Sequence, residues 1–516
     1  MMNAPPPTMS KEEAGHVDDS HDEGVGLTDS HREYLLRRHG TVELDPVPSP
    51  SDDDPLNWSR PKVSCRPKAV ARGEAPDSSQ KDLNLFFVAF HSFIGLFTAS
   101  AIQCTFVSIA EDLQVSVQDA SYLVSVFIAI LGVAPLIWQP LSRVYGRRPV
   151  FIASLLFSLV GNVACAVVHN YSAMAFFRAF TAFFISPPLA LGSGVVGETF
   201  FKKERGRYMG VWAMMMTLGV PVGPLVFGFV AVRVGYRWIY WTLAITNGAQ
   251  LLAYALLGSE TRYVRDPALE ARPRPSAAQR LLKFRRVDPT RLTWYDFLHP
   301  LTLVTNPNVA IAAVAYAMIF LWGCVMTTLM VPQIYPQIWG FDAEKVGLQY
   351  IAFIVGTVIG ELGGGFASDH WMRLASRREG AAPKPEFRLW LSYFGYLLTI
   401  CGVVVFLVQL GAASDTWDVT PDVGMAIGGA GNQVVTTVMI TYAVDCLPHD
   451  GAAVGTFVIF VRHIWGFIGP FWFPQMINAL GFARSTAVPI AMIVGVSVIP
   501  TVLLQGLGAR WRRKAA

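Results

Sequence analysis

The stretch that decides the fold is residues 139–148, Gln-Pro-Leu-Ser-Arg-Val-Tyr-Gly-Arg-Arg, a short basic connector between two apolar runs. The runs at 121–138 and 149–168 are each long enough to cross a bilayer, because about 20 apolar residues suffice for a helix. Arg143, Arg147 and Arg148 lie in a connector too short for anything but a tight turn. Short basic loops between spans stay on the cytoplasmic side. The stretch therefore predicts two transmembrane helices joined on the cytoplasmic face.

The composition of the chain excludes a soluble protein, since its 516 residues are 53% hydrophobic and only 15% charged. The formal net charge is +4, and the basic residues cluster in short loops, so they indicate membrane topology rather than nucleic-acid binding. The six cysteines show no CxxC or Cys/His spacing. We therefore expect no metal site, no cofactor and no nucleic-acid partner.

Hydropathy divides the chain into a tail and two groups of spans. Residues 1–80 are polar and rich in Pro, Asp and Ser, without a cleavable signal peptide, which predicts a disordered cytoplasmic tail. Twelve apolar runs follow at about 83–106, 121–138, 149–168, 172–200, 208–230, 238–257, 309–335, 346–367, 389–410, 422–444, 452–477 and 487–507. They predict an all-α membrane protein with two six-helix bundles, 81–258 and 307–508. A cytoplasmic loop at 259–306 joins the bundles, and a basic cytoplasmic tail occupies 509–516.

The positions of Lys and Arg set the predicted topology. Sixteen of them lie in alternate short loops, around 143–148, 202–207, 373–388 and 510–514. The short loops on the other side carry four, Arg233, Arg237, Lys345 and Arg484. This imbalance places both termini in the cytoplasm.

An internal repeat relates the two bundles. Residues 365–369, Gly-Phe-Ala-Ser-Asp, align with residues 139–143 at an offset of 226 residues, about one six-span half. Duplicated halves that rock about a central site are how secondary transporters build alternating access.

The connector at 139–148 resembles the loop between spans 2 and 3 of the major facilitator superfamily, whose pattern is Gly-x-Leu-x-Asp-Arg-x-Gly-Arg-Arg/Lys. Leu141, Gly146, Arg147 and Arg148 match this pattern, whereas Gln139 replaces a glycine and Arg143 an acid. Residues 54–59 and 466–474 also resemble strings of fungal members. The resemblance implies the superfamily fold.

Span 5 resembles the antiporter signature of the twelve-span drug:proton antiporter branch, Gly-x8-Gly-x3-Gly-Pro-x2-Gly-Gly. The matching residues are Gly210, Gly219, Gly223, Pro224 and Gly228, and Phe227 replaces the penultimate glycine. Glycines permit close helix contacts, and proline bends a span. The resemblance implies a fungal multidrug or secondary-metabolite exporter, most simply a monomer in the plasma membrane, with a small organic substrate and protons as its partners.

Several polar residues inside spans are candidates for the substrate or proton pathway. Arg178 matches the arginine of the superfamily's span-4 motif, and Arg462 with His463 lies midway along span 11. Because charge in hydrocarbon is costly, we expect Arg178 and Arg462 to face a central cavity from opposite halves and to make it net positive. Further polar residues that could line it are His91, Gln103, Asn432 and Gln433.

No acid is expected deep in a span, since Glu198, Glu361 and Asp445 all fall near predicted cytoplasmic ends. Proton coupling therefore follows from the resemblance, and His463 and His91 are the alternative titrating groups.

The cytoplasmic gate is predicted to have an altered polarity. Arg143 replaces an acid, so we expect it to pair with Asp445 or Asp450, in the loop between spans 10 and 11, when the transporter opens outward. Asp369 keeps the usual polarity in the other half, facing the N-terminus of span 5.

Three other functions are compatible with a multi-pass chain. Uptake of a nutrient or a polyamine-like solute uses the same fold. A membrane-embedded enzyme would need an intramembrane His/Asp cluster or a catalytic serine loop, and neither is present in the sequence. A receptor or scaffold would not explain the duplicated loop or the span-5 glycines. We therefore predict a transporter and not an enzyme.

Overall fold

The structure is a computed structural model that describes residues 29–42, 44–51, 54–58, 80–264, 286–288, 290–379, 385–413, 416–447 and 450–515. The chain divides into two units, residues 1–50 and 51–516. The first contains helix Asp29–His39, with an acid in its first turn and bases in its last, as the helix dipole favours. The second contains all the long apolar helices.

The predicted disorder of residues 1–80 is wrong at two places. One is helix Asp29–His39, and the other is the 3₁₀ turn Pro55–Asn57. This turn is buried because the Asp54 carboxylate accepts the Leu56 N–H at 3.0 Å, and Lys81 Nζ donates to the Leu56 carbonyl at 2.8 Å. Residues 1–28 and 59–79 of the predicted tail lie outside the described residues.

Twelve long helical segments, called spans 1 to 12 here, succeed each other along the second unit. They are Gln80–Leu113, Val117–Tyr145, Arg147–Val167, Tyr171–Thr199, Glu204–Val234, Arg237–Leu257, Pro307–Trp339, Ala343–Met372, Pro385–Gly411, Thr420–Cys446, Gly451–Phe471 and Phe482–Arg513. Eleven of those in the described residues are long and apolar enough to cross a membrane. Span 6 is long enough but less hydrophobic than the others, because it carries Asn247 and Gln250, both buried. The chain is an integral, multi-pass, all-α membrane protein.

Four spans are interrupted. Span 1 turns at Ala101 and Ile102 into the 3₁₀ turn Gln103–Thr105 and continues to Leu113, beyond its predicted end. Span 4 breaks at Ser186, ahead of two prolines that have no N–H to donate. Spans 7 and 12 contain π-helical turns at Leu321–Met326 and Val494–Val498.

The connector that opened the sequence analysis is shorter than predicted. Span 2 runs on through residues 139–145, and Gly146 alone separates it from span 3. Gly146 has φ +94°, a conformation that favours glycine. The predicted tight turn is therefore a single residue between two helices.

The spans pack in two groups. Within the first six, span 1 packs on span 5 and span 3 on span 6; within the last six, span 10 packs on spans 8 and 9. The groups meet mainly where span 2 packs on span 11 and span 5 on span 8. The exact domain limits stay predictions.

A helix that the sequence did not predict, Trp294–Thr302, lies within the segment expected to be a loop, and we call it the linker helix. Its first turn is closed by a capping box, in which the Thr293 N–H and hydroxyl both donate to the Asp296 carboxylate at 2.8 Å. The linker helix packs against both span 2 and span 11.

Candidate functional site

The basic end of the molecule, which carries Gly146 and the linker helix, is held by a network of charges. Arg147 donates to Glu198 at the end of span 4, at 3.0 Å, and the carboxylate of Glu198 also lies 3.6 Å from Arg262. Arg262 in turn lies 3.6 Å from Asp288. The ion pairs tie the segment after span 6 to the ends of spans 3 and 4.

Glu260 is the anchor of this network. Its carboxylate accepts the backbone N–H groups of Arg147 at 2.7 Å and Arg148 at 3.0 Å, which belong to the N-terminal turn of span 3. Burial raises the pKa of Glu260. The hydrogen bonds from the backbone N–H groups of Arg262, Arg147 and Arg148 act in the opposite direction and lower it. A Cβ at Gly146 would clash with the same carboxylate. Glycine is therefore required here for two reasons, the positive φ and the close approach of Glu260.

The sequence reasoning missed Glu260, because its partners are more than 100 residues away along the chain. The local sequence does contain one indication of Glu260: it is an acid two residues before Arg262, just after span 6 on the cytoplasmic side.

In this conformation Arg143 pairs with an acid other than the two expected in an outward-open state, so that pairing stays a prediction. Arg143 pairs with Asp296 of the linker helix at 3.6 Å, where hydrogen bonds from the Thr293 N–H and hydroxyl lower the pKa of Asp296. Two other groups hold the expected acids: Arg388 lies 3.5 Å from Asp445, and His299 lies 3.9 Å from Asp450. The linker helix packs against both span 2 and span 11 at this end. The side chain of Asp369 lies outside the described residues.

The glycines of the antiporter signature serve two different contacts. Gly219 and Gly223 lie against span 1. A Cβ at Gly219 would lie 2.5 Å from the Phe93 carbonyl. A Cβ at Gly223 would clash with Ser100 Oγ and lie 2.9 Å from the Phe97 carbonyl. A Cβ at Gly228 would lie 2.5 Å from the Ala343 carbonyl, at the start of span 8. Pro224 is also at that contact, since its carbonyl lies 2.6 Å from a Cβ built at Gly347. Gly210 approaches nothing within 4 Å, apart from its own helix.

Arg178 is fully buried inside the first group of spans. Its guanidinium donates to the carbonyls of Thr98 at 3.0 Å and Ala99 at 3.1 Å, and lies 4.3 Å from the centroid of the Phe127 ring. All three partners belong to spans 1 and 2, so the guanidinium braces the interruption of span 1 instead of facing the other half.

His463 lies where the two groups of spans meet, and Arg462 precedes it in span 11 with its partners in the second group. Arg462 donates to the Tyr316 hydroxyl at 2.9 Å and lies 4.7 Å from the Phe320 centroid, while its buried Nε has no partner. Arg462 Nη2 lies 3.0 Å from His463 Nε2, and His463 Nδ1 lies 2.8 Å from the Ile459 carbonyl. A Cβ at Gly132 of span 2 would come within 2.7 Å of the His463 Cβ.

The two remaining candidates in the first half have different surroundings. His91 lies 3.1 Å from Ser154 Oγ, inside the first group of spans. Gln103 reaches the second group, because its side-chain oxygen accepts the Tyr350 hydroxyl of span 8 at 3.3 Å.

The expectation that no acid lies deep in a span is wrong for Glu361. Gln433, the middle residue of Thr420–Cys446, donates from Nε2 to Glu361 at 2.8 Å and to Thr217 Oγ1 at 3.3 Å. Thr217 in turn lies beside the midpoint of Lys202–Val234. The misplacement arose because the predicted span 8 ended at 367, whereas the helix continues to Glu379. An acid at this level offsets part of the net positive charge that was expected of the cavity.

At the opposite end the two halves are in contact. Gln118 of span 2 donates to the Pro470 carbonyl of span 11 at 2.8 Å, and the rings of Tyr122 and Phe471 stack with centroids 4.6 Å apart. Arg233 of span 5 lies 3.9 Å from Glu344 of span 8. Polar groups at mid-depth thus lie between two bundles that already touch at one end.

These features define a class: a multi-pass membrane protein of two helical bundles with polar residues between them. Over the described ranges, no group of three or more His, Cys, Asp or Glu is arranged to hold a metal ion. The sequence model described as Major Facilitator Superfamily matches residues 85–470, and the chain belongs to that family.

Three relatives illustrate the resemblance, all of them fungal. Efflux pump radE of Floropilus chiversii is 27% identical over 90% of this chain and 86% of its own length. The MFS transporter cpaT of Aspergillus oryzae is 25% identical, covering 90% of this chain and 92% of the relative. Citrate exporter 1 of Aspergillus niger is 26% identical over 52% of this chain and 53% of the relative.

Proposed function

We propose that the protein is a secondary active transporter that exports a small organic molecule by alternating access, in exchange for protons. On this proposal it acts as a monomer in the plasma membrane, with both termini in the cytoplasm. The names of the relatives, an efflux pump and an exporter among them, favour export over uptake. The alternative of nutrient or polyamine uptake has no observation in its favour.

The observation that carries the proposal is the polar layer at mid-depth between the two bundles. Gln433 links Thr217 of the first bundle to Glu361 of the second, and Arg462 is buried in span 11 beside His463, which packs against span 2. Ionisable groups inside a membrane mark substrate or ion pathways by default. Bundles that meet through few helix pairs are suited to rocking about such a layer.

The test uses purified protein in liposomes with an acidic interior. A proton antiporter accumulates external substrate as protons leave, and a protonophore abolishes the accumulation. The probes are citrate, spermidine and the neutral dye Nile red. Protonophore-sensitive accumulation of one probe supports the proposal. Entry that stops when the probe concentrations inside and outside are equal, without proton movement, would indicate a facilitator.

Arg462 provides the residue-level prediction for this function. Replacing it by alanine removes the buried cation beside His463 and should lower transport of an anionic probe about tenfold or more, which corresponds to ~1.4 kcal/mol. Arg462→Lys keeps the charge but loses the planar donor geometry, so partial activity is expected. Equal transport by the wild type and both variants would remove Arg462 from the substrate pathway.

A further inference from the structure

Glu361 lies at the level where the two bundles are joined by a hydrogen-bonded amide. The Gln433 amide nitrogen has two N–H groups, one for Glu361 Oε2 at 2.8 Å and one for Thr217 Oγ1 at 3.3 Å. Asn432 Nδ2 in turn donates to Gln433 Oε1 at 3.1 Å. A single side chain of span 10 therefore holds an acid of span 8 and a hydroxyl of span 5.

Among the described residues, no cationic side chain pairs with the Glu361 carboxylate. Spans 5 and 10 are the main elements packed against span 8, and the groups they present to Glu361 are Thr217 and Gln433, both uncharged. Throughout the described ranges, no Lys, Arg or His forms an ion pair with Glu361. A lone charge at mid-membrane costs a few kcal/mol, and binding a proton removes that cost.

The two histidines fit a proton-carrying role less well. His463 lies between Arg462 Nη2, which is a donor, and the Ile459 carbonyl, which is an acceptor. A second proton on its ring would therefore face the arginine N–H. The His91 ring lies within the first bundle, against Ser154 and Phe151. Glu361, in contrast, is connected to both bundles, because Gln433 donates to it and also to Thr217 of the first bundle.

We propose that Glu361 is the proton-binding residue of the transporter, and that its protonation weakens the Gln433 bridge between spans 8, 10 and 5. This proposal rests on the proposed proton coupling. A proton from water adds to a carboxylate oxygen of Glu361 and forms a neutral acid, with no other bond made or broken. The N–H of Gln433 then meets a neutral acceptor, and hydrogen bonds to charged acceptors are roughly twice as strong. The proton returns to water when the bundles expose Glu361 to the other side.

The first experiment measures bundle separation with the proton as the only ligand. Spin labels are placed through Arg207→Cys and His370→Cys, two exposed sites on spans 5 and 8 at the basic end, in full-length protein whose other cysteines are replaced. We expect the wild-type distance distribution to shift between acidic and alkaline buffer. Glu361→Gln, which mimics the neutral acid, should hold the acidic distribution in both buffers.

Two further variants control this measurement. Glu111→Gln makes the same change at an exposed acid of span 1 and should keep the wild-type shift. Glu361→Asp keeps a titrating carboxyl and should restore part of the response. A Glu361→Gln protein that keeps the full wild-type shift would overturn the assignment of Glu361 and leave the transport function intact. Absence of any shift in the wild type, together with absence of proton-driven accumulation, would instead overturn the proton coupling itself.

A spectroscopic measurement tests the same residue without labels. Infrared difference spectra between alkaline and acidic buffer should contain a carboxylic-acid C=O band from the membrane interior. We expect Glu361→Gln to remove this band and Glu111→Gln to leave it. Persistence of the band in Glu361→Gln would place the proton elsewhere.

Discussion

Arg178 and Arg462 are both buried arginines, but their hydrogen-bond partners give them different roles. Arg178 satisfies the carbonyls of Thr98 and Ala99, next to the point where span 1 turns. In hydrocarbon an unpaired backbone group is costly, so an interruption of this kind survives only where a side chain supplies the missing donor. Arg462, in contrast, donates to the Tyr316 hydroxyl of span 7 and lies beside His463, which packs on span 2.

Replacing Arg178 by methionine tests the structural role. The change keeps an unbranched side chain but leaves two buried carbonyls without their donors, which should cost about 1–3 kcal/mol for each. We expect a clear fall in the melting temperature of the detergent-solubilised protein. Arg462→Met is the matched control, expected to lower transport more than stability. If Arg462→Met lowered stability and Arg178→Met lowered only transport, the structural role would belong to Arg462 and the transport role to Arg178.

The span-5 glycines make a second residue-level comparison possible. Gly223→Leu would force a side chain into Ser100 and the Phe97 carbonyl, whereas Gly210→Leu meets nothing within 4 Å. Overpacking typically costs 1–3 kcal/mol or more. We expect Gly223→Leu to insert in the membrane but to lose transport, and Gly210→Leu to behave as wild type. Membrane fractionation and liposome transport measure the two outcomes separately. Loss of transport in Gly210→Leu alone would show that the signature acts through a contact that this conformation does not contain.

At the scale of elements, the linker helix is the part that connects the basic ends of both bundles. It pairs with span 2 through Asp296 and Arg143, and with the start of span 11 through His299 and Asp450. Its other side exposes Trp294, Tyr295 and Leu298, at 85%, 62% and 56%. Aromatic residues of this kind favour the headgroup region of a bilayer. The helix is therefore placed between the membrane surface and the gate.

A charge exchange tests the pairing at this gate. Arg143→Asp should slow transport by repelling Asp296, and adding Asp296→Arg should restore part of the rate. Exposed pairs contribute only about 0–1 kcal/mol, so the effect is on the balance of conformations and not on folding. The control is Arg143→Asp combined with Asp445→Arg, which should give no rescue. Rescue by the control alone would restore the direct latch predicted from the sequence.

At the scale of the whole molecule, hydropathy and the motifs predicted the class, because a bilayer limits the chain to helices of a known length. Span 6 was also predicted, even though Asn247 and Gln250 lower its hydropathy. The position of Glu361 was not, since an error of a few residues in the end of span 8 changes the depth of a side chain by about 1.5 Å per residue.

Contacts that close over long distances in the chain were beyond the sequence pattern. Glu260 and Asp296 come from a segment that reads as polar and irregular, and nothing local indicates that they reach Arg147 and Arg143. Likewise, the 3₁₀ turn Pro55–Asn57 is ordered by Lys81, which lies 25 residues away from Leu56. Composition predicts disorder there because it does not include such partners.

The π-helical turn at Leu321–Met326 gives span 7 a property that a continuous α-helix lacks. Such a turn holds one residue more than an α-helical turn, as if a single amino acid had been inserted into a finished helix. If that surplus residue moves along the span, the residues that it passes rotate by roughly 100° and shift by about 1.5 Å, while the rest of the helix stays in place. Thr327–Trp339 can thus present a different set of side chains without sliding through the bilayer. A rotation of this kind would let one helix exchange its lining between two states of the cycle, independently of any rocking of the bundles.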